Sequence, residues 1–94
     1  MLILVHIDLS GADLALFEDY ERAALALLPL HGARVEERLR AADGRSEVHL
    51  LHFPDPAALD AFRADPRRAA LQHLWQSTGA TSALCMVERL EHDA

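Results

Sequence analysis

Apolar positions along the chain change from continuous, to helical, to alternating spacing, and each change marks a new element. Residues 2–9 are almost continuously apolar, with Ile3 and Ile7 on one face. That pattern is typical of a central strand covered on both faces. Residues 13–30 repeat apolar side chains at helical spacing, after a capping pattern that begins at Ser10. The chain therefore begins with a buried strand and an amphipathic helix.

The next segment, residues 33–42, alternates between polar and apolar side chains. In regular alternation Glu36 and Arg38 lie on the same face of this strand. The dipeptide Asp43-Gly44 is a strong hairpin signal, and the run 45–53 that follows predicts an antiparallel partner strand. The two strands are expected to pair directly.

Two Asp-Pro dipeptides punctuate the second half of the chain. Asp55 and Pro56 occupy the positions of an N-cap and a first helical residue. The pair Asp65-Pro66 repeats this signal, so we expect the second helix to break there and restart. Residues 81–90 form the last predicted strand.

The element order β-α-β-β-α-β predicts an α+β fold of the ferredoxin-like class, as a single domain over residues 1–94. Right-handed crossovers place the first and third strands side by side in a four-stranded antiparallel sheet, with two helices on one face. The other face carries apolar groups such as Leu4 and has no cover within the chain. A second copy of the chain is the simplest cover, so we expect a homodimer.

Composition narrows the possible partners. The 94 residues carry a formal net charge of −6, which argues against nucleic acid and anionic membrane surfaces as partners. A hydrophobic fraction of 51% is high for this length. The lone Cys85 excludes an intrachain disulfide, and neither a secretory signal nor a membrane-length apolar run is visible. We therefore expect a cytoplasmic location.

Several motifs together resemble one superfamily. They are the Phe17–Glu21 segment, the Leu30–Arg34 helix exit, the His49–Pro54 run and the Phe62–Pro66 break. In them the chain resembles the dimeric α/β-barrel proteins, and within these an uncharacterised small bacterial group. That group is distantly related to muconolactone isomerases and antibiotic-biosynthesis monooxygenases. The resemblance implies a homodimer with two sheets packed face to face, and it carries over no catalytic residue.

Candidate chemistry lies on the sheet face opposite the helices. His6 is predicted on that face, together with Glu36 and Arg38 and with either His49 or His52, depending on register. A histidine beside a glutamate and an arginine in a semi-enclosed cavity is suited to general acid–base work, because imidazole titrates near neutral pH. The alternative is a set of interface ion pairs with a hydrogen-bonded His6.

Tyr20 is a further catalytic candidate, since its hydroxyl is able to donate into a pocket between helix and sheet. No metal is expected: His49 and His52 are three apart on a strand and point to opposite faces, so they cannot share one ion. No cofactor is expected either, because the chain lacks a glycine-rich phosphate loop.

These patterns leave two functional hypotheses open. In the first, a small homodimer binds a small organic molecule in a cavity at the barrel, as an isomerase or a cofactor-independent oxygenase. In the second, the dimer is a non-catalytic structural or regulatory module. An open, polar cavity favours the first, and a filled one favours the second.

Overall fold

A computed structural model of the chain describes residues 1–93. Its strands are β1 (Leu2–Asp8), β2 (Arg34–Arg40), β3 (Ser46–His52) and β4 (Thr81–Val87). Its α-helices are α1 (Leu14–Leu25), α2 (Pro56–Arg63), α3 (Pro66–Ala69) and α4 (Gln72–Thr78), and a 3₁₀ turn covers Leu28–His31. No helix in this described range is long and apolar enough to cross a bilayer.

The four strands form one antiparallel sheet in the order β2-β3-β1-β4. Ile3 of β1 pairs with Leu51 of β3 and with Met86 of β4, and β3 also pairs with β2, so β1 and β3 are central as predicted. The helices cover one face of this sheet. The predicted ferredoxin-like architecture is therefore confirmed.

The core lies between the helices and the two central strands. Ile3, Leu51, Phe53 and Phe62 belong to one buried cluster with Leu28. A second cluster surrounds Phe17, which is fully buried, and consists otherwise of Ile7, Leu9 and Ala80. Large apolar side chains at strand positions 3, 7 and 51 thus face helical side chains, which aligns α1 and α2 over the sheet.

The start of α1 differs from the prediction. Asp13, not Ser10, is the N-cap, and its carboxylate accepts a hydrogen bond from the Leu16 N–H at 3.1 Å. Gly11 has a φ of 74°, which places it in a turn that ends before the helix begins. The helix also ends earlier than predicted, at Leu25, and a 3₁₀ turn containing Pro29 follows.

The two Asp-Pro signals are confirmed. The Asp55 side chain accepts from the Ala58 N–H at 2.8 Å, and Pro56 begins α2. The Asp65 side chain caps α3, and Pro66 is its first residue. The second helical region is therefore divided into the short helices α2, α3 and α4.

Regular alternation along β2 is interrupted. The pairing of β2 with β3 shifts between Val35 and Glu37, which is a β-bulge. A bulge adds one residue to a strand and reverses the side to which the following side chains point. Arg38 consequently pairs with His49 on the helix side of the sheet, so the prediction that Glu36 and Arg38 share a face is wrong.

The face of the sheet opposite the helices is called the open face here. Leu4, His6, Val48 and Leu50 point to it from the two central strands, because their neighbours in sequence face the helices. Leu39 of β2 lies opposite Val48 and is 58% exposed. The open face is therefore an apolar surface that no element among residues 1–93 covers.

Candidate functional site

A cavity lies between the helices and the sheet, and it is called the helix–sheet cavity below. Its volume is about 150 Å³. Ile3, Ile7 and Phe53 line its apolar interior, while Ser82 and Leu84 of the edge strand lie at its more exposed side. An apolar cavity of roughly this volume accommodates benzene, so the space suits one six-membered ring.

Glu21 of α1 and His49 of β3 are among the titratable side chains on the wall of this cavity. Alternation along β3 turns His49 toward the helices, together with Glu47 and Leu51. Glu21 follows Phe17 by four residues, so it lies on the buried stripe of α1. The two periodicities bring a carboxyl group and an imidazole together in the interior.

His49 lies between two glutamates. Its Nε2 contacts Oε2 of Glu47 at 2.5 Å, and its Nδ1 lies 3.6 Å from Oε2 of Glu21. All three side chains are buried: Glu21 is 5% exposed and the other two are 2% exposed. A separation of 3.6 Å is too long for a direct hydrogen bond, so Glu21 is positioned beside the imidazole without being bonded to it.

Glu47 is held as a carboxylate. Burial favours its neutral form, but hydrogen bonds from Arg38, His49 and Arg40 more than offset burial and hold its pKa below the usual value. Arg38 Nε donates to Oε2 at 2.8 Å, and Arg40 donates to Oε1 at 2.7 and 2.9 Å. Both arginines also contact Glu18 of α1. This ion-pair network holds Glu47 against Nε2 of His49, on the edge of the imidazole that faces away from Glu21.

The pKa of Glu21 is displaced in the opposite direction to that of Glu47. Burial raises its pKa to about 7, Arg38 acts against this rise, and the negative charges of Glu47 and Glu18 add to it. Glu21 therefore changes protonation state near neutral pH, unlike an exposed glutamate.

These contacts determine which ring nitrogen of His49 carries a proton. Because Glu47 is ionised and only accepts, Nε2 of His49 carries the proton of that contact. In the neutral imidazole, Nδ1 is then an acceptor that faces the Glu21 carboxyl group. Glu21 and His49 are called the proton-sharing pair below: the Glu21 carboxyl group is able to hold or release a proton at the cavity wall, beside the imidazole of His49.

Aromatic and basic side chains line the part of the cavity formed by the helices. Tyr20 and Trp75 pack with ring centroids 5.0 Å apart. Burial raises the pKa of Tyr20; the positive charge of Arg68 lowers it and Glu21 raises it further. The Tyr20 hydroxyl is therefore within electrostatic reach of both charged groups, and it remains a neutral donor near pH 7.

The candidate residues predicted from the sequence fall in two places. Tyr20 and His49 line the helix–sheet cavity, and Arg38 supports it through Glu47. His6 is exposed on the open face, and Glu36 pairs with Arg34 at 2.8 Å instead of with Arg38. The register also settles which histidine shares the open face with His6: it is His52. The predicted single constellation is therefore divided between the two faces of the sheet.

Sequence reasoning missed Glu21 and Glu47. A signal for Glu21 was present, because it lies four residues after Phe17 and four before Leu25, on the apolar stripe of the helix. A glutamate at such a position is either neutral or partnered. Glu47 gave a weaker signal, because its burial depends on the strand register.

Glu21, Glu47 and His49 also present possible ligand atoms within 4.8 Å of one another. Both Glu47 oxygens, however, already accept hydrogen bonds from arginine. A cation at this point would face two guanidinium groups at close range. The donor set fits a proton relay better than a metal centre.

Comparisons with known proteins support the fold. No protein-family model matches the chain, and no curated protein is significantly similar in sequence. Solved structures match over nearly the whole chain. SnoaB, a cofactor-independent oxygenase from Streptomyces nogalater, has a TM-score of 0.71 at 17% identity, over 95% of this chain and 93% of that one.

Two further solved structures also match the fold of this chain. A structure of an antibiotic biosynthesis monooxygenase gives a TM-score of 0.62 at 17% identity, covering 95% of this chain and 100% of the other. A NIPSNAP domain protein from Burkholderia xenovorans gives 0.61 at 18% identity, covering 99% and 100%. The chain thus has the ferredoxin-like fold of the antibiotic-biosynthesis monooxygenase and NIPSNAP structures. Identities this low show the fold and leave the reaction to be argued from the site.

Proposed function

We propose that this chain is a small homodimeric protein that binds a ring-sized organic molecule in the helix–sheet cavity and exchanges a proton with it. The observation that carries the proposal is Glu21, whose pKa is raised to about 7, beside His49 on the cavity wall. A general base works best when its pKa is near the operating pH. Burial and the fixed Glu47 carboxylate supply that condition here.

The reaction class follows from the position of the proton-sharing pair. A base next to an apolar, ring-sized space is suited to removing a proton from an acidic C–H or O–H group of a bound ring. An isomerase returns that proton to another atom, and a cofactor-independent oxygenase lets the resulting anion react with dioxygen. SnoaB, a cofactor-independent oxygenase, has the same fold, which supports the second of these as a chemistry compatible with this architecture.

The homodimer is proposed from the open face. Leu4 and Leu50 lie opposite each other at its centre, and Leu39 extends it toward the edge. Leaving such a patch in water is costly. A second copy related by a two-fold axis would cover it with an identical apolar surface, and the helix–sheet cavity would stay on the outer side of each sheet.

The test is solvent-deuterium exchange followed by proton NMR. A panel of cyclic diketones, lactones and dihydroxyaromatic rings is incubated with the protein in D₂O near pD 7. We expect faster exchange of at least one panel member, and Glu21→Gln should slow it by about 100-fold or more, the range of general acid–base catalysis. The exposed Glu88→Gln variant is the matched control and should retain the wild-type rate.

Two results would contradict the proposal. One is exchange by the wild-type protein no faster than in buffer for every compound, which would favour the non-catalytic dimer. The other is a Glu21→Gln variant as fast as the wild type, which would place the base elsewhere.

A further inference from the structure

Two arginines, Arg63 and Arg68, line the helix–sheet cavity on the side of the short helices. Other arginines of the chain, such as Arg38, Arg40 and Arg67, are held by carboxylates. Within residues 1–93, no carboxylate oxygen lies within 4.0 Å of the guanidinium nitrogens of Arg63 or Arg68. The cavity wall therefore carries two guanidinium groups that no carboxylate of the described residues contacts.

Arg68 is the more enclosed of the two. It is half-buried, whereas Arg63 is exposed. Its guanidinium carbon lies 5.3 Å from the centroid of the Phe62 ring, a distance at which a cation–π contact holds the side chain over the ring. A partly desolvated guanidinium gains most from an anion, and its planar fork matches the two oxygens of a carboxylate.

Tyr20 relates Arg68 to the proton-sharing pair, because its hydroxyl is influenced by both Arg68 and Glu21. The charges of Arg68 and Glu21 both act on the Tyr20 hydroxyl, in opposite directions. Arg68 and Glu21 therefore lie within electrostatic reach of the same group while lining the same cavity. A molecule bound in this cavity therefore shares it with both side chains.

We infer that the ligand is a ring-bearing carboxylate, with the carboxylate held by Arg68 and the ring lying against Tyr20 and Trp75 toward the proton-sharing pair. This inference rests on the proposed function and specifies its ligand class. The volume of about 150 Å³ accommodates the ring, and the carboxylate lies at the basic side formed by the short helices. Arg68 is then the residue that selects anionic over neutral rings.

Trp75 provides the readout. It is the only tryptophan of the chain and lies on the cavity wall, so its fluorescence responds to a ring bound there. The protein is titrated at pH 6, below the Glu21 pKa of about 7, so that the Glu21 carboxyl group is mostly neutral. Benzoate is compared with benzamide, which has the same ring and shape without the charge, and calorimetry gives both dissociation constants.

We expect benzoate to bind at least about tenfold more tightly than benzamide, as for a charge-assisted hydrogen-bonded pair. Arg68→Gln should reduce this preference to about threefold or less, and Arg68→Lys, which keeps the charge, should retain part of it. Arg22→Gln is the matched control: it removes the same charge from an exposed site on α1 outside the cavity and should keep the full preference. Circular dichroism verifies that each variant is folded.

Each other outcome is decisive. Equal binding of benzoate and benzamide would overturn the inference and leave the proposed ring-binding cavity standing. Binding of neither compound would overturn the inference and count against the proposed function as well. A benzoate preference that survives in folded Arg68→Gln would remove Arg68 from the role assigned to it.

Discussion

The Nδ1 atom of His49 lies 3.6 Å from Oε2 of Glu21, on the wall of an apolar cavity. On its other side the same imidazole contacts Glu47, whose pKa is held low by arginine, whereas the pKa of Glu21 is raised to about 7. Two carboxyl groups with pKa values displaced in opposite directions thus flank one histidine. Such displacement is a common feature of acid–base sites.

The first prediction concerns the pH dependence of stability through Glu21. Its pKa in the folded protein, about 7, exceeds the ordinary 4.5, so between these values the folded state binds the extra proton. The contribution of this raised pKa to the free energy of unfolding is fully present below about pH 4.5, and it is lost as the pH rises through 7. The loss in unfolding free energy is about 3 kcal/mol, from about 1.4 kcal/mol per unit of pKa.

Urea unfolding at pH 5, 6, 7 and 8 measures this loss. We expect Glu21→Gln to remove most of the decrease in unfolding free energy with rising pH. The variant should be more stable than the wild type at pH 8 by up to about 3 kcal/mol. Arg38, Glu18, Glu47 and His49 surround the carboxyl group and remain present in both proteins. Parallel pH profiles for wild type and variant would show that Glu21 titrates normally.

The second prediction has the opposite sign and concerns Glu47. Since its pKa is lowered, its contribution to stability is present above the ordinary value and is lost as the pH falls. Glu47→Gln leaves Arg38, Arg40 and His49 without their shared carboxylate. We expect a loss of about 2–3 kcal/mol at pH 7, below the full cost of breaking a buried pair because both guanidiniums are about one-third exposed.

Thermal and urea unfolding check this value. The exposed Glu88→Gln variant removes the same charge and should change stability by about 0.5 kcal/mol or less. If Glu47→Gln behaved like that control, the network would not stabilise the fold.

The third prediction concerns the proposed dimer. Leu4→Asp places a carboxylate at the centre of the open face, where burial between two copies is unfavourable. We expect the solution mass, from light scattering or native mass spectrometry, to shift from dimer to monomer. Leu30→Asp makes the same exchange at an apolar residue that is 58% exposed in the 3₁₀ turn, away from the open face, and should stay dimeric. A Leu4→Asp protein of unchanged dimer mass would contradict the face-to-face arrangement.

The fourth prediction separates the two faces of the sheet. His6 is exposed on the open face and does not line the helix–sheet cavity. His6→Ala should therefore leave both the fold and the binding of ring compounds, followed by Trp75 fluorescence, within about twofold of wild type. A loss of binding well beyond twofold in a folded His6→Ala variant would mean that His6 acts on the cavity from across the sheet.

Much of the fold could be predicted because its signals are local. Asp55-Pro56 and Asp65-Pro66 define helix starts by backbone chemistry alone, and both are observed as caps. The site was harder to predict because it depends on register. One bulge near Val35 moves Arg38 to the helix side, and the bulged segment Arg34-Val-Glu-Glu37 contains no glycine or proline that would indicate it.

The buried carboxyl group of Glu21 was visible in the sequence pattern, but its meaning for the site had to be recognised. Glu21 occupies a regular position on the apolar stripe of α1, where a charged residue conflicts with the hydrophobic pattern. Such conflicts between local pattern and burial are expected at functional sites. Its partner, His49, was identified as a candidate, but which face it occupied depended on the pairing of β3 with β1.

The most direct test of the central claim is a methyl NMR titration of the wild-type protein with phenol. The chain contains only two isoleucines, Ile3 and Ile7, and both line the helix–sheet cavity. With labelled isoleucine and valine, we predict saturable shifts of both isoleucine methyl signals, while Val48 on the open face stays unchanged. Isoleucine signals that do not move, or shifts at Val48 as large as theirs, would contradict a ring-binding site between the helices and the sheet.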